Sequence, residues 1–194
     1  MRVFLAGVSC VGKTTVGAHL ASILEHRFFD LDVETEHFFG TSIERLRSRH
    51  LSSHGFRLAA SQALSRVLLR EDSCNCVIAL PPSGLMDGCW KVIKGVQDAR
   101  IVVLCDAPEN ILKRITFYDI DSRPLQMNLT DSEKAFYFRE IKRDIAYFSR
   151  SFCRAHIYVD IAGCSPGEAS RKVRDALKSV TSNDQSGSTT SALH

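Results

Sequence analysis

A turn with a glycine at each end lies near the start of the chain, between an apolar segment and an amphipathic one. Residues 7–14 read Gly-Val-Ser-Cys-Val-Gly-Lys-Thr and match the spacing G-x-x-x-x-G-K-[ST]. Residues 3–6 are apolar and predict a buried strand, and residues 14–25 carry apolar side chains at helical spacing. The glycines let successive backbone N–H groups face inward, and the following helix directs its positive end at the same point. The pattern therefore predicts a phosphate-binding loop, or P-loop.

The residue types in the P-loop predict contacts with a nucleotide. Lys13 is expected to reach the terminal phosphates of ATP, and the Thr14 hydroxyl is expected to coordinate Mg²⁺. ATP and Mg²⁺ are therefore the predicted cofactors. The predicted nucleotide-binding residues of the loop are Gly7, Val8, Ser9, Cys10, Val11, Gly12, Lys13, Thr14 and Thr15.

Apolar strands alternate with amphipathic helices along the rest of the chain. Further strands are predicted at residues 28–31, 76–80, 101–105 and 156–159. Further helices are predicted at residues 41–49, 56–69, 108–117, 131–152 and 165–180. Thr41 and Glu44 have the spacing of a capping box, and Asp131 is expected to cap its helix. Uniformly apolar strands between helices predict an α/β fold, with three α/β/α layers around a five-stranded parallel sheet.

The length and composition favour a single soluble domain. The 194 residues suit one domain, which we expect over residues 1–180. Residues 118–130 are polar and irregular and are predicted to form a mobile loop inside that domain. Residues 181–194 are predicted to form a flexible tail.

Charge and hydropathy exclude other classes of protein. Basic and acidic residues are interspersed and leave a net charge of +3, which favours a small anionic ligand over a nucleic acid. No stretch approaches the roughly 18 apolar residues of a membrane helix, so no membrane partner is expected. The N-terminus lacks the pattern of a signal peptide, so we expect a cytoplasmic protein, and a monomer is the default.

Two carboxylates follow the second predicted strand and favour phosphoryl transfer over nucleotide hydrolysis. Asp30 and Asp32 are separated by one residue, and alternation along a strand would direct both side chains to the same side. The carboxyl ends of parallel strands face the ligand crevice. One carboxylate can support the magnesium ion, while the other accepts or orients the hydroxyl of an acceptor.

Several segments together resemble the shikimate kinase family over about residues 1–178. The segment FFDLDVETEHFFGTSIERL is similar to that family's D-[ST]-D-x-x-I-E segment and the short helix after it. His54-Gly55-Phe56-Arg57 resembles its acceptor-binding FR motif, and Arg123-Pro124-Leu125 resembles the RPL of its lid. Lys142-Arg143 with Tyr147 resembles its K-R-x-x-x-Y helix. The resemblance implies a cytoplasmic enzyme of aromatic amino acid biosynthesis.

The resemblance also implies a fold like that of nucleoside monophosphate kinases, with an acceptor-binding region at about residues 33–62 and a lid at about 117–131. Arg57 and Arg143 would then bind the carboxylate of the acceptor, a role that suits the planar guanidinium group. Arg114 would lie against adenine.

The catalytic roles that the resemblance implies belong to Lys13, Asp32 and Arg123. Asp30 would assist the magnesium ion, and Asp32 would hold the hydroxyl that attacks the γ-phosphate of ATP. Arg123 would move in with the lid to meet the transferred phosphoryl group and, on closure, to exclude water.

The chain departs from the family pattern in its acceptor half, and this leaves three functions open. Residues 81–84 read Pro-Pro-Ser-Gly where the family has three glycines, and proline has no N–H to donate. Ala60 replaces an acidic residue, and Cys10 replaces a P-loop glycine. From the resemblance as a whole, the chain is expected to phosphorylate shikimate. The alternatives are a kinase for another small anionic hydroxylated acceptor and a non-catalytic protein that binds nucleotide.

Overall fold

The computed structural model describes residues 1–50 and 52–186, with side chains to residue 180. Its strands are β1 (Arg2–Ala6), β2 (Arg27–Asp30), β3 (Cys76–Ala79), β4 (Ala99–Cys105), β5 (Phe117–Tyr118), β6 (Pro124–Leu125) and β7 (Ile157–Asp160). Its helices are α1 (Lys13–Leu24), α2 (Leu31–Phe39), α3 (Ile43–Arg49), α4 (Ser53–Leu68), α5 (Asp87–Ile93), α6 (Pro108–Leu112), α7 (Asp131–Phe152) and α8 (Pro166–Ser186), and a 3₁₀ turn spans Glu71–Ser73.

The predicted five-stranded parallel sheet is confirmed. Its strand order is β2-β3-β1-β4-β7, and every neighbouring pair is parallel. Strand β1 is central, with Leu5 opposite Ala79 on one side and Val102 on the other. The chain leaves the carboxyl end of β1 as the P-loop, so the predicted phosphate site lies at the middle of that edge, where ligands bind in such sheets.

Burial explains why these segments form the sheet. Residues of the central strands such as Phe4, Ile78 and Val102 are fully buried, as expected for a parallel sheet covered on both faces. Helix α1 packs against α8, where the Ser170 hydroxyl donates a hydrogen bond to the Val16 carbonyl at 3.0 Å. On the side of the sheet, Gly17 lets α1 lie close to β2, because a Cβ there would lie 2.6 Å from the Phe28 ring.

A second, smaller hydrophobic cluster supports the predicted acceptor-binding region. It consists of Ile43, Leu46, Phe56 and Ala59, with Phe39 packed against it. These residues belong to α2, α3 and α4, so the cluster ties the three helices together beside the main sheet. The region therefore has its own packing and holds its polar side chains on a defined surface.

Several predicted boundaries are wrong, and side-chain capping explains most of them. The Asp30 carboxylate accepts the Asp32 N–H at 3.0 Å, which ends β2 at Asp30 and starts an unpredicted helix, α2. Helix α3 is capped by Ser42 rather than Thr41, because the Thr41 N–H is already bonded to the Glu36 carbonyl of α2. Helix α7 has its capping box at Thr130 and Glu133, so the predicted cap at Asp131 is off by one residue.

Other boundaries depend on pairing with distant parts of the chain. The predicted helix 108–117 ends at Leu112, and Phe117–Tyr118 instead pairs antiparallel with Pro124–Leu125. The predicted irregular loop 118–130 therefore contains a hairpin. Helix α5 was not predicted, and α8 continues to Ser186, into the predicted tail. The rest of that tail, residues 187–194, lies outside the described residues. Among the helices described, none is both long and apolar enough to cross a membrane.

Candidate active site

The P-loop has the backbone conformation that an anion-binding turn requires. Gly7 and Gly12 have φ angles of 140° and 110°, in the region that favours glycine. A Cβ on Gly7 would also lie 2.8 Å from the Leu104 carbonyl oxygen, so a side chain there is excluded by space as well. Cys10, with φ 57°, adopts the left-handed conformation without being glycine. Gly12 is the N-cap of α1, so the helix N-terminus faces the turn.

The Lys13 side chain folds back onto the P-loop. Its Nζ donates hydrogen bonds to the carbonyls of Gly7 at 3.0 Å and Val8 at 2.7 Å. Burial lowers the pKa of Lys13 to about 8, while the carboxylates of Asp32 and Asp30 partly oppose this shift. The ammonium group is therefore a buried positive charge that an anionic phosphate would stabilise.

Thr14 and Asp30 form the pair that fits a magnesium ion. The Thr14 hydroxyl lies 2.6 Å from Asp30 Oδ2 and donates to it. Hydroxyl and carboxylate oxygens are the donors that Mg²⁺ prefers, and this ion usually keeps several waters and binds phosphate oxygens as well. No group of three or more His, Cys, Asp or Glu side chains within residues 1–50 and 52–180 could hold a metal alone. The residues thus fit a Mg²⁺ ion that is shared with a nucleotide.

Asp32 lies beside this pair, but on a helix and not on a strand. It belongs to the first turn of α2, so the prediction that strand alternation aligns it with Asp30 is wrong in its geometry. Burial raises the pKa of Asp32 to about 6, the charge of Asp30 adds to the shift, and Arg47 and Lys13 oppose it. The charges of the P-loop residue Lys13 and of Arg47 in α3 therefore both favour the ionised form of this carboxyl group.

A cavity of about 620 Å³ opens next to the P-loop. Four separated segments enclose it: the P-loop, helices α3 and α4 with their connection, the loop after β3, and helix α7. The described residues that line it are Ser9, Arg47, His50, Ser52, Ser53, Phe56, Arg57, Pro81, Pro82, Ser83, Asp144, Tyr147 and Phe148. Because Ser9 belongs to the P-loop, the phosphate site and the cavity share a wall.

Arg57 lies in this cavity and is held by an acidic residue that the sequence did not reveal. Its Nε donates to Asp87 Oδ2, and His54 Nδ1 lies 3.3 Å from the same oxygen. The Arg57 guanidinium keeps the pKa of Asp87 below its ordinary value. Ala60 stands where the family has an acid, and Asp87 of α5 supplies a carboxylate from another part of the chain. No spacing in the sequence links residues 57 and 87.

Comparisons with known proteins show the family of this chain. The family model described as shikimate kinase matches residues 9–177.

The chain belongs to the shikimate kinase family.

Its relatives include a shikimate kinase of Moorella thermoacetica, which is 29% identical over 178 residues, or 91% of this chain and 94% of the relative. The bifunctional shikimate kinase/3-dehydroquinate synthase of Thermotoga maritima is 28% identical over 64% of this chain, which spans 24% of that longer protein. The solved shikimate kinase of Acinetobacter baumannii in complex with shikimate has 25% identity and a TM-score of 0.68, covering 94% of this chain and 93% of the other.

The loop after β3 is where this shikimate kinase family member departs from the family pattern. Pro81 and Pro82 line the cavity, and neither has an N–H to donate. The Gly84 N–H, which could have replaced them, is turned inward and bonds to the Pro81 carbonyl at 2.8 Å. The loop therefore presents ring surface and the Ser83 residue to the cavity in place of a row of backbone donors.

Arg143 lies on the helix that closes the cavity, but it points elsewhere. Its side chain is 76% exposed and pairs with Glu140 one turn earlier, at 2.6 Å. The lining contributed by α7 comes instead from Asp144, Tyr147 and Phe148, and Arg143 is not among the described lining residues. The structure thus brings Arg57 to the cavity and does not bring Arg143 to it.

The predicted lid is a hairpin that is docked on the acceptor-binding region. The Ser42 hydroxyl donates to the Ile120 carbonyl, and Arg45 Nη2 lies 2.8 Å from Asp121 Oδ1. The Ser122 hydroxyl donates to Glu36, whose carboxylate also accepts the Ile43 N–H at 2.8 Å. Helices α2 and α3 therefore hold the tip of the hairpin.

Of the two remaining predicted arginines, Arg123 lies in the turn of the hairpin and Arg114 follows α6. Arg123 is exposed, and its N–H donates to Asp119 Oδ1 at 2.9 Å within the turn. Arg114 pairs with the buried Asp106, which also accepts from Ala107 N at 2.7 Å and Asn110 Nδ2 at 2.8 Å. Arg114 is thus fixed after β4, at the same edge of the sheet as the P-loop.

Proposed function

We propose that this chain is an ATP- and Mg²⁺-dependent kinase that transfers the γ-phosphate to a hydroxyl of shikimate. The observation that carries the proposal is the wall that the P-loop and the cavity share at Ser9, in the same loop onto which Lys13 folds. A phosphate bound in the loop and a hydroxyl bound in the cavity would be neighbours there. Family membership and the related shikimate kinases support shikimate as the acceptor.

Different side chains have separate roles in phosphoryl transfer. The reaction depends on positioning and charge neutralisation more than on covalent chemistry. Lys13 and the P-loop amides bind the terminal phosphates. Thr14 and Asp30 would hold Mg²⁺, which supplies positive charge to the phosphate oxygens. Asp32 orients the acceptor hydroxyl and accepts its proton as it attacks, so no phosphoenzyme forms.

The two arginines complete the proposed mechanism from opposite sides. Arg57, positioned by Asp87, binds the carboxylate of the acceptor inside the cavity. Arg123 approaches the transferred phosphoryl group when the hairpin closes, and closure also excludes water. Arg114 stays the proposed contact to adenine, and Arg143 is the weaker candidate for the acceptor because of its pairing with Glu140.

A second function is favoured by one specific observation. Pro81 and Pro82 remove backbone donors from the acceptor cavity, which changes what that wall can recognise. A kinase for a different small anionic hydroxylated acceptor would keep the same phosphate site and the same Asp32.

The proposal also includes a monomer in the cytoplasm. Size-exclusion chromatography tests the oligomeric state, and fractionation of native cells tests the location.

A coupled assay of ADP release separates these functions. The wild-type protein with ATP and Mg²⁺ is offered shikimate, gluconate or a nucleoside monophosphate. We expect shikimate to give the highest kcat/KM. Asp32→Asn should lower kcat by roughly 10²- to 10⁴-fold and leave the KM for ATP unchanged, because it removes the proton acceptor and no phosphate ligand. A higher kcat/KM with gluconate would support the second function, and no turnover with any acceptor would favour a non-catalytic nucleotide-binding protein.

A further inference from the structure

Arg47 lies in the wall of the acceptor cavity and has no part in the mechanism above. It occupies the last turn of α3 and shares the cavity with Arg57. The two guanidinium groups are in different electrostatic situations. The Arg57 side chain is 16% exposed and is paired with Asp87, whereas Arg47 is 48% exposed and lies 3.4 Å from Glu44. That distance is long for a charge-assisted hydrogen bond, so the charge of Arg47 is less well neutralised.

Packing holds Arg47 at the cavity without cancelling its charge. Its Cζ lies 5.1 Å from the centroid of the Phe56 ring. Phe56 is buried in the small cluster with Ile43 and Leu46, so the ring is a fixed support. A guanidinium over an aromatic face is attracted by the ring and keeps its donors for other groups. Arg47 is therefore positioned in advance for an anion.

Arg47 also shares a cavity with the P-loop, where the phosphate is proposed to bind. Ser9 of the P-loop lines the same cavity as Arg47. An acceptor that fills this cavity therefore lies beside both the phosphate site and the Arg47 guanidinium.

The wall formed by the β3 loop explains why a second cation is useful here. Pro81 and Pro82 contribute no N–H, and the Gly84 N–H is bonded to the Pro81 carbonyl. Recognition of an anion in this cavity therefore depends less on the backbone of this loop and more on side chains. The charged or titratable groups in the described lining are Arg47, Arg57, His50, Tyr147 and the acidic Asp144.

We propose that Arg47 is an acceptor-binding residue that pairs with the anionic group of the acceptor and makes the site prefer a hydroxy acid over a neutral polyol. The inference rests on the proposed function, because it assigns a specificity-determining residue to the same cavity. Arg57, already engaged by Asp87, then fixes the orientation of the acceptor, while Arg47 supplies a charge that its long contact with Glu44 leaves only partly neutralised.

Titration calorimetry in the presence of ADP and Mg²⁺ tests this assignment. The probes are two matched pairs, shikimate with its methyl ester and gluconate with glucitol, so that each acid has a neutral counterpart. The variants are Arg47→Gln, Arg47→Lys and the control Arg49→Gln, which removes an exposed arginine of the same helix that is not among the described lining residues. Circular dichroism and thermal melting report whether each variant is folded.

We expect Arg47→Gln to weaken binding of the acid by roughly 10- to 100-fold, the range for a lost hydrogen bond between charged groups. The neutral counterpart should bind Arg47→Gln as it binds wild type. Arg47→Lys should lie in between, because lysine keeps the charge but loses the planar pair of donors. Arg49→Gln should match wild type.

Three results would overturn the assignment: equal acid affinity in Arg47→Gln and Arg49→Gln, equal loss for acid and neutral probe in Arg47→Gln, or no binding of either acid to wild type. The outcomes separate this inference from the proposed function. Acid binding that depends on Arg47 without any turnover in wild type would contradict the kinase proposal and support the role of Arg47. Turnover of an acid that Arg47→Gln binds as tightly as wild type does would support the kinase proposal and contradict the role of Arg47.

Discussion

The phosphate loop and the acceptor cavity share Ser9 but are constructed in different ways. The loop is one continuous segment, and its recognition depends on backbone conformation at Gly7 and Gly12 and on one helix N-terminus. The cavity is assembled from four segments that are far apart in the chain, and its recognition depends on side chains. A site made by local backbone geometry leaves a motif in the sequence. A site made by converging side chains does not.

Replacement of Lys13 should produce the largest effect on kcat, and the effect should be limited to the phosphate site. Lys13→Ala removes the charge at the terminal phosphates, so we expect kcat to fall by about 10³-fold or more, a loss typical of electrostatic groups in phosphoryl transfer. Binding of shikimate, measured by calorimetry, should be retained because the cavity is untouched. Lys94→Ala, at an exposed position after α5, is the control. Loss of acceptor binding in Lys13→Ala would show that the two sites are not separable.

Replacement of Asp32 should show how much the burial of this carboxyl group lowers the free energy of unfolding. Its pKa is raised from 3.8 to about 6, so between these pH values the folded state binds more protons than the unfolded state. The free energy of unfolding therefore falls as the pH rises through this window, and it levels off once the pH is well above 6. Asp32→Asn avoids this loss. It should be more stable than wild type at pH 8 by on the order of 1 to 3 kcal/mol, and nearly equal to it at pH 3.8.

Urea unfolding between pH 3.8 and pH 8, with EDTA and without nucleotide, measures the difference. Asp131→Asn is the control, because the Asp131 side chain is fully exposed and should show no such gain. An Asp32→Asn advantage that shrinks as the pH rises would have the wrong sign and would contradict the buried position of this carboxyl group.

A smaller effect is expected on the acceptor side, from the residue that positions Arg57. Asp87→Asn removes the charged partner of the guanidinium, so we expect the KM for the acceptor to rise by about 10-fold, with the KM for ATP unchanged. Asp72→Asn, which removes the partner of Arg70 on the surface, is the matched control. A parallel rise in both KM values would mean that Asp87 supports the fold as a whole and not the cavity.

The contact between the hairpin and α3 should give the smallest effect. Arg45 and Asp121 are both about half exposed, and such pairs contribute about 0.2 to 1 kcal/mol. Arg45→Gln and Asp121→Asn should each change kcat less than about fivefold, and the double variant should show no further loss if the pair acts as a unit. Additive losses would indicate that the two residues act separately on the hairpin.

Particular elements show where prediction from the sequence succeeded and where it failed. The strands were predicted because their apolar runs reflect burial on both faces, a property of each segment by itself. The start of α2 was missed because the Asp30 side chain, and not the apolar pattern, ends β2. The hairpin was missed because two-residue strands carry no periodicity, and their pairing becomes visible when residues 117 and 125 meet.

The residues of the candidate site also fall into those that the sequence predicted and those whose roles it did not distinguish. Lys13, Thr14 and Asp30 were predicted: the first two follow directly from the P-loop motif, and Asp30 meets Thr14 because β2 ends at the same edge of the sheet. Arg45, Arg47 and Arg49 look alike in the sequence, yet the first pairs with the hairpin, the second lines the cavity and the third is exposed.

From its sequence alone, the chain specified a parallel α/β domain, a phosphate loop and a family, because each is written in short-range patterns of apolar residues and glycines. Tertiary folding decided which cations face the acceptor: it attached Asp87 to Arg57, left Arg143 outside the described lining and placed Arg47 in the cavity. The physical reason is that charged side chains act over a few ångströms in space, and folding sets which of them come within that distance.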